Sequence, residues 1–360
     1  MEQFHCRTKI YSGAGAIGHL ADYGASKVFL VTDPYFHKNG TAEKVAAASK
    51  AGQVEIFSDV RPDPGVELAA AGTARLKAFD PDLVIALGGG SAMDCAKAMV
   101  YFSGTRAKLV AIPTTSGSGS EVTDFAILTH NQVKHPLVDP RLTPDGAILD
   151  SDLLQELPSG LVADSGYDVI AHALESYVAT GAGTITDSLA RDAFKSAWTS
   201  LPASFAGCRE VRLQMHLAAT MAGMAFSQAG LGLCHAMAHS IGGMFHIPHG
   251  RLNAILLPAV VNCNIPAAGS KYAELARFAG IGAAADTIAI RNLRSSLIRL
   301  RRELKLPETL AQAGIRPREV QAAAGEIISA ALADPCCKTN PVPVTPSMVR
   351  QVLEEVTGRG

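Results

Sequence analysis

The sequence predicts an α/β domain with a parallel sheet over residues 1–155, followed by an all-α domain over residues 156–360. Three observations carry that expectation. The chain has 360 residues, enough for two hydrophobic cores of ordinary size. Up to Leu149-Asp150, short β-rich runs alternate with helical stretches. From Ser151 onward long Ala/Leu/Met stretches take over, punctuated by Pro158, Pro202, Pro266 and Pro307, and these read as a helical bundle.

The elements follow in order. Lys27–Asp33 (KVFLVTD), Val54–Phe57, Asp82–Leu87 (DLVIAL) and Lys108–Ile112 (KLVAI) are apolar runs bounded by Gly, Pro or Asp, as buried parallel strands are. Gly40–Ala51 and Val66–Ala78 carry helical patterns between them, so strands and helices alternate as in a doubly wound sheet. A composition of 48% hydrophobic and 18% charged residues fits a packed α/β protein rather than a disordered chain. The net charge of −1 supplies no field for nucleic acid or an anionic membrane. Leu252–Val261 and similar apolar stretches are short and interrupted by Asn253 and Pro258, so no bilayer span is expected. Met1–Ile10 includes Glu2, His5, Arg7 and Lys9, unlike a secretory signal, and seven cysteines without a C-x-x-C pair suit reduced thiols, so a cytoplasmic setting is expected. Cys336 and Cys337 are adjacent, a spacing that rarely reaches disulfide geometry, and read as two free thiols.

Two loops at strand ends can meet an anion. Gly88-Gly89-Gly90-Ser91-Ala92-Met93-Asp94 follows DLVIAL and opens a helical run, where bare backbone and helix-terminal N–H groups favour a phosphate. It is not a G-x-G-x-x-G pattern, and a tight strand-to-helix turn is the alternative. Pro113–Glu121 (PTTSGSGSE) follows KLVAI at the end of a parallel strand, where nucleotides bind in open sheets; a surface linker is the alternative. Asp33 ends KVFLVTD before Pro34, a position open both to a ribose diol and to a helix cap.

The helical half holds a denser signal. Asp168 and His172 stand four apart and so share a helix face, as do His235 and His239. Four histidines, His235, His239, His246 and His249, lie within fifteen residues of an apolar segment, where each buried imidazole needs a hydrogen-bond or metal partner. A carboxylate with three imidazoles suits Fe2+ or Zn2+ and suits Mg2+ or Ca2+ poorly.

Taken together, GGGSAMD, IPTTSGSGSE, LVDPRLTPDGAILD, GYDVIAHALESYV and GLGLCHAMAHSIGGMFHIPHGRLNAILLP resemble, in order and over essentially the whole chain, the iron-containing (group III) alcohol dehydrogenases. The resemblance implies a Rossmann-like dinucleotide-binding domain followed by an all-α metal-binding domain, an architecture shared with dehydroquinate synthase. It implies Asp168, His172, His235 and His249 as metal ligands for Fe2+, with Zn2+ as the alternative, and His239 beside the substrate. It also implies NAD(H) bound by Asp33, Gly89, Gly90, Ser91, Asp94, Thr114, Thr115 and Ser118. Within the family, the compact link from Tyr101 to Lys108, PLVDPRLTPD and AALADPCCKTNP resemble the short microcompartment-associated type exemplified by 1-propanol dehydrogenase. That implies reduction of a small aldehyde such as propionaldehyde or acetaldehyde, a homodimer, and a place in the cytoplasm or in a bacterial microcompartment beside an aldehyde-producing enzyme.

Three residues depart from the family pattern. Ser118 replaces a usual threonine and keeps its hydroxyl, Tyr167 replaces a common methionine and adds bulk beside Asp168, and Arg251 follows the ligand loop. A cation at Arg251 would suit an anionic aldehyde such as sulfoacetaldehyde, whereas a surface residue or carbonyl cap is its plainer role. Two other functions compete: an NAD- and metal-dependent lyase of the dehydroquinate-synthase kind, which needs a basic pocket, and a noncatalytic metal-binding helical domain, which has no use for the polar loops.

Overall fold

The computed structural model describes residues 3–130 and 133–358. They form two compact units, one spanning His5–Leu157 and the other running from Pro158 onward. The first unit contains β1 (Lys9–Ser12), β2 (Lys27–Val31), α1 (Pro34–Lys38), α2 (Thr41–Ala48), β3 (Gln53–Phe57), α3 (Val66–Phe79), β4 (Leu83–Gly88), α4 (Gly90–Ser103), β5 (Lys108–Pro113), β6 (Phe125–His130), β7 (Val133–Val138) and β8 (Gly146–Leu149). Six of these strands make a parallel sheet in the order β1-β8-β5-β4-β2-β3, and β6 and β7 form a separate antiparallel pair.

The alternation of side chains along each strand covers both faces of the sheet. Val28, Leu30, Leu83, Ile85, Leu87, Val110 and Ile112 pack with Ala42, Val45 and Ala46 of α2, while Phe29, Val31, Val84, Ala86, Leu109 and Ala111 pack with Leu76 of α3 and Met93, Cys95 and Met99 of α4. From β2 the chain moves outward to β3, and from β4 it moves the other way to β5, so the strand order reverses between β2 and β4. The carboxyl ends of those two strands therefore flank the crevice where open α/β sheets bind ligands. The sequence reading did not anticipate β1, β8 or the β6–β7 pair. β1 and β8 have four residues each, too few for a period to show.

The second unit contains α5 (Ser159–Val178), α6 (Thr184–Phe205), α7 (Arg212–Ala229), α8 (Leu233–Phe245), α9 (His249–Phe278), α10 (Asp286–Glu303), α11 (Pro317–Ala333) and α12 (Pro346–Thr357), with no strand among its described residues. Two of the expected proline breaks are absent: Pro202 lies inside α6 and Pro266, like Pro258, inside α9. At Pro258 the reason is visible. A proline in a helix leaves the carbonyl four residues back without its donor. That carbonyl, of Ala254, instead accepts from the buried Arg301 guanidinium at 3.2 Å. α9 is thus 30 residues long and apolar enough to match a bilayer span in length and composition, but 67% of that span is buried within the protein, as in a core helix.

Candidate metal centre and nucleotide loops

α5 presents Asp168, His172 and Glu175 at positions i, i+4 and i+7, one face of the helix. α8 brings His235 to that face and the first turn of α9 brings His249. One ligand atom from each of Asp168, His172, His235 and His249 lies within 4.8 Å of all the others. Asp168 Oδ1 is 3.7 Å from both His235 Nε2 and His249 Nε2, and Oδ2 is 4.0 Å from His172 Nδ1.

The donor chemistry fits a divalent cation. The fully buried Asn253 amide nitrogen reaches Asp168 Oδ1 at 2.6 Å, His235 Nε2 at 3.2 Å and His249 Nε2 at 3.3 Å. An amide has two hydrogens for those three acceptors. A carboxylate oxygen and two ring nitrogens thus converge where a positive centre, rather than a neutral donor, would satisfy them all.

A second carboxylate prepares His235. Glu175 Oε2 lies 2.5 Å from His235 Nδ1, so Nδ1 carries the hydrogen and Nε2 presents its lone pair toward Asp168. The same side chain accepts from the Cys234 N–H at 2.8 Å and the His235 N–H at 3.3 Å, while Asn340 Oδ1 accepts from the Leu233 N–H at 3.0 Å. The opening turn of α8 is therefore capped by remote side chains rather than by its own N-cap residue, Gly232. Glycine is required there: a Cβ would come within 2.7 Å of Asn340 Oδ1 and 2.8 Å of Glu175 Oε1. Gly250 does the same for α9, since a Cβ would fall 1.9 Å from the Asp164 carbonyl oxygen. Its bare Cα lets His249 approach α5.

The charges in the cluster lean on one another. Burial opposes the Asp168 carboxylate, but the His172, His249 and His235 imidazoles outweigh it and hold the carboxyl far below its ordinary range. Burial likewise opposes charge on His235, yet Asp168 and Glu175 raise its pKa to about 9, so a cation bound at the Nε2 lone pair takes the place of a proton that the two carboxylates otherwise hold there. His249 is driven the other way by burial and by the neighbouring imidazoles, and stays neutral.

His239 lies outside that set of four. It is half-buried on α8, its Nδ1 is 2.9 Å from Asp334 Oδ2, and its ring stacks on His249 at 5.0 Å between centroids. Burial works against the Asp334 carboxylate, but its hydrogen bond with His239 brings it down to about 2.

In the first unit the two polar loops form one cradle. A Cβ at Gly89 would lie 3.4 Å from Thr115 Oγ1, and one at Gly90 3.3 Å from Ser118 Cβ, so the glycine turn packs directly against the second loop. Gly89, Gly90, Ser91, Thr115 and Ser118 are all half-buried, whereas Thr114 is buried and its N–H donates to the Gly88 carbonyl. Asp33 performs the capping role: Oδ1 accepts from the Tyr35 and Phe36 N–H groups. Its Oδ2 is 3.8 Å from where a Gly88 Cβ would stand, so the second oxygen faces the glycine turn across the switch point. Asp94 is engaged elsewhere, accepting from Ser120 Oγ at 2.9 Å and the Ile127 N–H at 3.2 Å, which ties α4 to β6.

Two expectations from the sequence are corrected. Tyr167 adds no bulk to the site: it is fully buried and its hydroxyl donates to the Leu297 carbonyl of α10. Arg251 is neither a free cation nor a carbonyl cap, because Nε and Nη2 donate to the two Asp164 oxygens at 3.1 and 2.8 Å. A bidentate pair of that kind neutralises the guanidinium. The sequence reading also missed Glu175, Asn253 and Asp334. The first two had a signal, Glu175 seven residues after Asp168 and Asn253 four after His249, both on ligand-bearing faces.

A glycine turn packed against a polar loop at the switch point of a parallel sheet, and a buried, mixed N/O donor set, are the features of a class, the metal-dependent enzymes that work with a dinucleotide. Comparison with known proteins narrows it. Residues 7–151 match the family described as iron-containing alcohol dehydrogenase, and residues 162–357 its C-terminal domain. The chain is 38% identical, over 99% of its length and all of the relative's, to the 1-propanol dehydrogenase PduQ of Salmonella typhimurium strain LT2. An iron-containing alcohol dehydrogenase from Thermococcus thioreducens superposes with a TM-score of 0.91 at 31% identity, covering 99% of this chain and 100% of that one. A sulfoacetaldehyde reductase from Bifidobacterium kashiwanohense, solved with NAD+, gives 0.90 at 25% identity and covers 100% of both chains. The chain belongs to the iron-containing alcohol dehydrogenase family. It is an oxidoreductase that interconverts alcohols and aldehydes, and neither the lyase nor the noncatalytic function is favoured.

Proposed function

We propose that the enzyme reduces a small, uncharged aldehyde such as propionaldehyde or acetaldehyde with NADH, and runs the reverse oxidation, using Fe2+ held by Asp168, His172, His235 and His249. The observation that carries this is that four donor atoms lie within 4.8 Å of one another, three of them sharing a single amide nitrogen that cannot satisfy them all. The metal supplies Lewis acidity to the reacting oxygen, and the nicotinamide supplies the hydride. The protein's own residues do the rest. Glu175 fixes the His235 tautomer, Asp334 fixes that of His239, and His239 is left with Nε2 to exchange the hydroxyl proton. Gly89, Gly90, Ser91, Thr115 and Ser118 hold the pyrophosphate, and Asp33 Oδ2 receives the ribose diol and repels a 2′-phosphate. Thr114 and Asp94 support that cradle from behind, through Gly88 and β6.

An uncharged substrate follows from Arg251, whose charge Asp164 already neutralises. The likeness to PduQ, a 1-propanol dehydrogenase, supports a C3 aldehyde; a homodimer working in the cytoplasm or inside a bacterial microcompartment is part of the same proposal and rests on the sequence resemblance alone. Steady-state assay of iron-reconstituted protein against propionaldehyde, acetaldehyde and sulfoacetaldehyde with NADH tests the substrate. The expected kcat/KM is higher for both uncharged aldehydes, and a preference for sulfoacetaldehyde would overturn the assignment.

A further inference from the structure

Beside the four-ligand set, the second unit holds another group of N, O and S donors. His239, Asp334 and Cys336 each offer one ligand atom, and these three lie within 4.8 Å of one another. As the protein stands, Asp334 serves as acceptor for the other two. Oδ2 pairs with His239 Nδ1, and Oδ1 accepts from the Cys336 N–H at 2.8 Å. The neighbouring thiol differs, since Cys337 Sγ points to the Ala331 carbonyl at 3.0 Å.

The scaffold is firm. Cys336 sits in a short turn, Pro335–Thr339, between α11 and the Asn340 side chain that caps α8. Thr339 Oγ1 donates to the Leu231 carbonyl at 2.7 Å and its carbonyl accepts from the Thr180 N–H at 2.9 Å. Asn340 exchanges side-chain hydrogen bonds with Asn264 at 2.8 and 3.0 Å. The three donors are thus held on a helix and an anchored turn, partly shielded yet reachable by an ion.

We propose that His239, Asp334 and Cys336 form a second, inhibitory metal site that takes a borderline-soft divalent cation such as Zn2+. An imidazole, a carboxylate and a thiolate with one position left open are a donor set that tetrahedral Zn2+ accepts and that Mg2+ or Ca2+ does not. Binding forms Zn–S, Zn–O and Zn–N bonds and breaks the Cys336 S–H bond, whose proton goes to solvent. The His239 ring moves its hydrogen from Nδ1 to Nε2, and no electron is transferred. A His239 locked in that way cannot exchange a proton with substrate. The inhibition, unlike the binding, rests on the role proposed for His239.

The test uses enzyme loaded anaerobically with Fe2+ and titrated with Co2+, a spectroscopic stand-in for Zn2+. The four-ligand set contains no sulfur, so a thiolate-to-cobalt charge-transfer band can come only from a cysteine. The band is expected in the wild type and in Cys337→Ser, and absent in Cys336→Ser. Serine is close to cysteine in size and keeps the backbone N–H that donates to Asp334, so Cys336→Ser should fold and turn over normally. In parallel, Zn2+ should inhibit the wild type, with the half-inhibitory concentration raised about tenfold or more in Cys336→Ser, the scale on which losing even a supporting partner weakens metal sites. No band in the wild type, or an equal band in Cys336→Ser, would overturn the site. A cysteine-dependent band without inhibition would uphold the site and count instead against the role of His239 in turnover.

Discussion

Replacing Glu175 with glutamine probes how much of the metal centre depends on a residue that touches no metal. Glu175 accepts from three donors: the Cys234 N–H, the His235 N–H and His235 Nδ1. Glutamine has one oxygen and one NH2, so it cannot serve both ends. With its oxygen toward His235, the NH2 opposes the Cys234 N–H, and one buried donor goes unpaired at about 1–3 kcal/mol. With its oxygen toward Cys234, the NH2 faces His235, and the ring can accept it only by moving its hydrogen to Nε2. That hydrogen would point at Asp168 and occupy the lone pair needed for ligation. Both orientations weaken the site, and loss of the negative charge makes His235 less basic in either. Metal affinity should fall by about 10–100-fold, as for other residues that orient metal-bound histidines, or about 1.4–2.7 kcal/mol. Competition with a chelator of known affinity measures it, and thermal unfolding of the metal-free protein separates folding from binding. A Glu175→Gln protein that binds metal within twofold of the wild type would refute the claim that this carboxylate sets the His235 tautomer.

Three further outcomes follow from the same geometry. Asp33→Ser should preserve a cap for α1 through its hydroxyl while weakening NADH binding and raising the NADPH/NADH ratio of kcat/KM; an unchanged ratio would leave Asp33 as a cap alone. Gly250→Ala should push α9 off α5, because its Cβ would meet the Asp164 carbonyl at 1.9 Å, lowering both the melting temperature and iron content; wild-type values for both would show that the two helices can part without consequence. His239→Ala should retain metal and NADH affinity but lose about 10²-fold in kcat, and Asp334→Asn, which disturbs the tautomer and leaves the ring in place, should lose less; equal metal loss in both would make His239 a ligand.

The sequence made the alternation of strands and helices legible because β2, β4 and β5 are buried on both faces and so read as continuous apolar runs. What it could not show was strand order. The reversal between β2 and β4, which places Asp33 opposite Gly88, is a property of the sheet and of no single segment. Pro258, read as an interruption of its apolar stretch, misled for a related reason. A proline breaks a helix when its freed carbonyl has no donor, and the donor for Ala254 is Arg301, 47 residues further along.

The ligand candidates were legible because histidines at helical spacing in an apolar segment are rare without a partner. The spacing that identified Asp168 with His172 also linked His235 with His239, and it could not say that His239 lies outside the set. That distinction comes from where α8 and α9 begin. Gly232 admits Glu175 and Asn340 to the bare N–H groups of α8, which fixes the rotation of the helix and points His235 at Asp168. Four residues on, the same rotation carries His239 past the cluster to Asp334, while Gly250 lets His249 fill the remaining place. Exchanging those roles would require turning α8 about its axis, which would strip Glu175 from the Cys234 and His235 N–H groups and leave a buried carboxylate and two buried donors unpaired. The division of labour between ligand and proton carrier is therefore set by the capping of one helix, and the glycines that permit that capping are as much part of the site as its histidines.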